Sequence, residues 1–110
     1  MKVSELAKHL DMKVLTSGNG EDNEVEGVYI CDLLSWVMAK ANKGNAWITV
    51  LTHINIVAVA LLTEVSCIIV PEDIVVEEAS ITKASLEGIV ILSSSKSAYE
   101  LACEAGKILC

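Results

Sequence analysis

Between Ala46 and Asp73 the chain changes direction twice, and that order restricts the folds open to it. An apolar run (Ala46–Leu51) meets a polar corner at Thr52 and His53. A helical stretch that is apolar almost all round follows (Asn55–Thr63), then a second extended run (Cys67–Val70) ending at Pro71-Glu72-Asp73. A membrane span needs about 20 apolar residues in one helix. The stretch here is half that and is interrupted by His53, Asn55 and Glu64. It therefore reads as a buried strand-helix-strand crossover, the unit from which parallel sheets are built.

The rest of the chain repeats the alternation. Ser4 is placed to cap a short helix reaching Leu10, with Glu5 in its first turn, and a brief strand follows at Lys13–Thr16. Ser17-Gly18-Asn19-Gly20 is a turn by composition. Glu21, Asp22, Glu24 and Glu26 then form an acidic loop that leads into a strand, so these glycines do not form a phosphate cradle. Val25–Cys31 reads as a strand and Asp32 as the cap of a helix over Leu33–Ala41, stopped at Asn42-Lys43-Gly44-Asn45. Beyond Asp73 the pattern predicts a helix at Glu77–Glu87 closed by Gly88. A strand at Ile89–Leu92 and a helix from Ala98 to Ile108 follow, the last capped by one of Ser93, Ser94, Ser95 or Ser97. This alternation predicts one α/β domain over residues 1–110, a sandwich with a largely parallel sheet flanked by helices.

Composition narrows the functions. The chain is 53% apolar with 4% aromatic residues and no Phe, so its core must be aliphatic, as suits a parallel sheet buried on both faces. All eight basic residues are Lys, against fifteen carboxylates, and the net charge is −7. Such a chain repels a phosphate backbone and lacks guanidinium forks, so no nucleic-acid partner is expected, and no membrane. The start Met1-Lys2-Val3-Ser4-Glu5 shows no secretory pattern, and the expected location is the cytoplasm. Cys31, Cys67, Cys103 and Cys110 have no ligand or disulfide spacing and are expected as free thiols. Cys103 and Cys110 would lie roughly 10 Å apart along a helix rising about 1.5 Å per residue, beyond bridging reach. Trp36 and Trp47 are expected in the core or an interface.

In whole-chain pattern the sequence resembles the DRTGG domain, a small α/β module found with CBS domains in some family II pyrophosphatases and in some phosphotransacetylases. The resemblance rests on Gly27-Val28-Tyr29-Ile30 before a helix, Ala46–Leu51, the helix with Ala58, Ala60 and Leu61, Ile68-Ile69-Val70, and Gly88-Ile89-Val90-Ile91 before the serine run. It spans roughly residues 2 to 109. Asp22 and Glu24 ahead of Gly27-Val28 are also similar to the amino-terminal domain of HPr kinase/phosphorylase. The naming motif is not kept: its Asp-Arg pair falls on Thr52-His53 and its Thr-Gly-Gly on Pro71-Glu72-Asp73, so no site residue carries over. The resemblance implies a regulatory, dimer-forming module that lies near a nucleotide.

A parallel sheet gathers the carboxyl ends of its strands on one edge, where ligands of open α/β sheets bind at a switch in strand order. That edge is expected to collect Asp32, Thr52, His53, Asn55, Glu72, Asp73, Ser93, Ser94 and Ser95 as the ligand-binding residues, each of which is also a natural cap or turn residue. With Asp32, Glu72 and Asp73 there and only Lys96 beside them, the edge should favour a neutral or cationic group, or a nucleotide carrying a divalent cation. No catalytic residue, metal site or cofactor is expected: a nucleophile-elbow pattern is absent, and the available oxygens do not make the His/Cys set that zinc prefers. The leading expectation is a regulatory, ligand-sensing or protein-interaction module that forms a homodimer and has no catalytic activity, its partner a small molecule, a nucleotide or a signalling protein. The competing expectations are an enzyme of unknown reaction working through His53 and a purely structural adaptor. The homodimer is expected on Leu33–Ala41 and Asn55–Thr63, because a helix apolar all round needs cover on its outer side as well.

Overall fold

The computed structural model describes residues 1–109; Cys110, and with it the expected free thiol there, lies outside the described residues. The elements run α1 (Val3–His9), β1 (Lys13–Val14), β2 (Gly27–Ile30), α2 (Leu34–Lys40), β3 (Asn45–Ile48), α3 (Asn55–Thr63), β4 (Cys67–Val70), α4 (Glu78–Glu87), β5 (Ile91–Ser93) and α5 (Ala98–Leu109). The sheet order is β1-β5-β4-β3-β2. From β2 to β5 every strand lies parallel beside its neighbour in the chain, and only β1, at the far edge, is antiparallel.

Alternation along the strands divides the interior. Ala46 and Ile48 of β3 and Cys67 and Ile69 of β4 pack with Leu6 of α1 and Leu101 and Ala105 of α5. Trp47, Ile68 and Val70 point the other way, onto Val37 of α2, Ile56 and Ala60 of α3, and Ala84 of α4. Three layers result: three crossover helices on one face, the first and last helices on the other. All four residues of β4 are buried, as expected of a central parallel strand covered on both sides. Burial also pushes the Cys67 thiol up to about 12, which keeps it protonated.

α3 keeps the bounds read from the sequence, and its apolar residues divide between its flanks and its outer side. It lies between α2 and α4, so Val57 and Val59 are buried within the same chain. Lateral neighbours in one layer cover its flanks, while Leu61 and Leu62 on its outer side stay exposed. A glutamate at Val57 or Val59 therefore tests folding and not self-association. Only Asn55, Ala58, Leu61 and Leu62 of this helix are exposed.

Caps differ from expectation more than elements do. α1 begins at Val3, and the Glu5 carboxylate accepts the Lys2 backbone N–H at 2.9 Å, which holds Glu5 below the usual carboxylate range. Ser4 lies inside the helix. β1 is two residues long, and β5 starts at Ile91, because the Ile89 N–H closes α4 on the Ala84 carbonyl. Gly88 follows α4 with φ 73° and Gly44 precedes β3 with φ 86°, left-handed positions that glycine occupies without a Cβ penalty. Ser97 and Glu100 cap α5 reciprocally: the Ser97 N–H donates to Glu100 Oε1 at 3.1 Å and the Glu100 N–H to Ser97 Oγ at 3.2 Å.

Candidate functional site

The carboxyl edge forms from the loops after β2, β3, β4 and β5, and the structure sorts the nine expected residues into three groups. Asp32 does not cap α2, whose first turn has no side-chain cap. Its Oδ1 instead reaches across to the end of β3, accepting the Thr49 hydroxyl at 2.7 Å and the Val50 N–H at 2.9 Å. Thr49 is buried, and its Oγ1 also accepts the Leu51 N–H at 3.2 Å. One carboxylate and one hydroxyl thus fix the bend by which the chain leaves the sheet.

Thr52, His53 and Asn55 lie in the turn into α3. The Thr52 hydroxyl donates to Glu77 at 3.5 Å, and the Thr52 carbonyl accepts the buried Ser80 hydroxyl at 2.6 Å, which ties this corner to α4. His53 Nδ1 accepts the Asn55 N–H at 3.3 Å. His53 and Asn55 are exposed.

The third group sits between β4 and β5. After β4 the chain climbs to α4 on one face of the sheet; after β5 it crosses to α5 on the other. Diverging connections of this kind open the crevice in which α/β sheets take ligands. Here two backbone bonds close it: the Glu72 N–H donates to the Lys96 carbonyl and the Asp73 N–H to the Ser94 carbonyl, both at 2.9 Å. Ser93 stays in β5, paired with Val70 and Lys13. Ser94 is buried, its Oγ accepting the Lys96 N–H at 3.0 Å, and Ser95 is exposed.

Glu72 and Asp73 adopt left-handed backbone, with φ 59° and φ 55°. That conformation costs a non-glycine residue roughly 1–2 kcal/mol, Asp less than Glu because its short side chain bonds locally. Glycine at either exposed position relieves this strain but adds freedom to the unfolded chain. Glu72→Gly is accordingly expected to raise stability by about 0.5–1 kcal/mol and Asp73→Gly by less. A lower midpoint in urea for Glu72→Gly would mean that the carboxylate itself holds the loop.

Charge at the edge is mostly negative. Asp32, Glu72, Asp73 and Glu77 face it, while the Lys96 ammonium bonds Glu104 at 2.8 Å and turns back toward the Leu10 carbonyl. Among the described residues no group of three His, Cys, Asp or Glu side chains is placed to hold a metal, and no buried side-chain nitrogen or oxygen lacks a partner. The sequence reading missed Thr49, Glu77 and Ser80. Thr49 left a signal, as a lone hydroxyl in an apolar strand; Ser80 and Glu77 left none that separates them from ordinary helix residues. A separate cleft of about 370 Å³ opens at the opposite edge, lined among others by Asn23, Glu26, Lys43, Glu64 and Ser66.

Three layers and a parallel sheet wound in chain order, with an acidic carboxyl edge, make a small α/β domain. The chain belongs to the DRTGG domain family, whose model matches residues 5–107. Among solved structures it is similar to the CBS and DRTGG domains of the regulatory region of Clostridium perfringens pyrophosphatase, complexed with activator, diadenosine tetraphosphate. Identity is 14% and the TM-score 0.73, over 93% of this chain and 44% of that one, so the chain spans less than half of that regulatory region. No curated protein matches the sequence. Among the described residues no helix is long and apolar enough to cross a membrane.

Proposed function

We propose that this DRTGG domain is a regulatory module of the cytoplasm that self-associates and senses a small ligand at its carboxyl edge, without catalysis of its own. The observation that carries the reading is the pair of connections after β4 and β5, which part to opposite faces and are held together by two backbone bonds from Glu72 and Asp73. Asp32, Thr52, His53, Asn55, Glu72, Asp73, Ser93, Ser94 and Ser95 are the proposed ligand residues, with Asp32, His53, Asn55, Glu72, Asp73 and Ser95 exposed along the edge. A binding role is favoured over an enzymatic one because the hydroxyls of Thr49, Ser80 and Ser94 bond backbone or carboxylate groups, and His53 Nδ1 is occupied by an amide. The free thiols of Cys31, Cys67 and Cys103 suit a reducing compartment.

The pyrophosphatase regulatory region complexed with diadenosine tetraphosphate makes a nucleotide the first ligand to test. Electrostatics sets the terms. Like charges at about 4 Å and an effective dielectric of 20 repel by roughly 4 kcal/mol, whereas a helix amino terminus contributes about 0.3–1 kcal/mol. A bare polyphosphate is therefore refused, and a magnesium-bound one is accepted. Thermal unfolding with ATP or diadenosine tetraphosphate should show stabilisation with magnesium and none in chelator, because a ligand bound only to the folded state raises its midpoint. Thr52→Ala and His53→Ala should each weaken that shift while leaving the unliganded midpoint within a few degrees. Tight binding in chelator, indifferent to both substitutions, would place the ligand elsewhere.

A further inference from the structure

The two edges of the sheet are built differently. At one end β1 is two residues long and carries Lys13, a short, charged edge of the kind that discourages pairing with another chain. At the other end β2 runs four residues, Gly27-Val28-Tyr29-Ile30, with no charge and no proline. Among the described residues β2 pairs only with β3, while Met1–Val3 runs beside Asn23–Val25 ahead of it. In a parallel pair, alternate residues turn both backbone groups to the partner. Cys31 gives its N–H to the Ile48 carbonyl, so Val28 and Ile30, at the other parity, turn theirs outward.

Apolar side chains flank this edge. Ile30 is 46% exposed, Leu33 61% and Trp36 53%. Val28 packs toward the α5 face, whereas Tyr29 packs toward the α2 face. From Gly27 to Ala39 the only charged residue is Asp32, in a chain whose net charge is −7. A second copy, equally acidic, meets no like charge along β2 itself, and a basic partner gains nothing from so neutral a strand.

We infer that β2 is the seam through which two copies of this chain join, their edge strands pairing antiparallel about a two-fold axis at Tyr29 to make one continuous ten-stranded sheet. Val28 of one copy then lies opposite Ile30 of the other, and each such pair exchanges two N–H···O bonds. Leu33 and Trp36 of the two copies cover the seam. An isologous contact of this kind closes on itself and leaves only the blunted β1 edges free.

The inference rests on the proposed self-association, and sedimentation of the full chain separates the two. The wild type should be dimeric at micromolar concentration. Ile30→Lys puts a charge on an exposed position of the seam and should weaken dimerisation about a hundred-fold or more, with an unchanged far-ultraviolet spectrum. Val28→Pro removes an N–H that the seam uses and β3 does not, and should act in the same direction. Leu62→Glu, on the outer side of α3 and 73% exposed, should leave the dimer intact. A wild-type monomer overturns both the self-association and the seam. A dimer that survives Ile30→Lys, or that Leu62→Glu dissolves, overturns the seam alone.

Discussion

Replacing Trp47 by alanine is expected to cost the fold about 3–5 kcal/mol, the range for truncating a large aromatic in a packed interior. The residue has no exposed surface, sits at the centre of β3, and packs against the helices on the α2–α3–α4 face. Its indole N–H donates to the Cys31 carbonyl at 2.9 Å, bridging the end of β2 to β3. Domains of this size have about 5–15 kcal/mol in total, so the variant should be largely unfolded near physiological temperature. Trp47→Phe separates the two contributions. It keeps most of the ring and loses the hydrogen bond, at a cost of about 1–2 kcal/mol. Urea unfolding followed by circular dichroism measures both variants. A loss below about 1 kcal/mol for the alanine variant would mean that the neighbouring helices collapse into the space, which the rigid packing of protein interiors opposes.

Asp32→Ala is expected to be the second most damaging change at the carboxyl edge. It removes one acceptor from two donors, the Thr49 hydroxyl and the Val50 N–H. Hydrogen bonds to charged groups contribute about 1.5–3 kcal/mol, and exposure of the carboxylate puts the expected loss near the lower end. Asp32→Asn keeps an acceptor oxygen and should recover roughly half of it. Thr49→Val, nearly the same shape, should lose about 1 kcal/mol, because it also leaves the Leu51 N–H without a partner. If Thr49→Val is damaging and Asp32→Ala harmless, the hydroxyl alone holds the corner.

The sequence reading succeeded where sharp punctuation encloses an apolar run. α3 and β4 emerge with the bounds expected, His53 and Glu64 bracketing the helix and Ser66 and Pro71 the strand. Gly44 and Gly88 likewise stop where a left-handed residue must sit. The caps expected at Ser4 and Asp32 failed for a common reason. Ser4 and Asp32 are good cap residues by chemistry, yet the backbone of Ser4 donates to the Glu21 carbonyl and Asp32 spends its oxygen on β3. Such partners are distant in sequence, so local propensity cannot see them. The flanks of α3 are covered by α2 and α4, and periodicity alone does not tell such lateral cover from cover by another molecule. The expected edge residues do sit at the ends of parallel strands. Which of them meet depends on the face each helix takes, and α5 crossing to the side opposite α4 has no local signature.

That crossing has a mechanical consequence. The sheet stands between the two helical layers as a stiff plate, and a shift of α4 has little direct purchase on α5. At the Glu72–Lys96 and Asp73–Ser94 bonds the plate has ended, and the strut leading to one layer is fastened to the strut leading to the other. Anything that parted those struts, or cinched them tighter, would pull on both layers through one joint, as a pair of tongs is worked from its pivot.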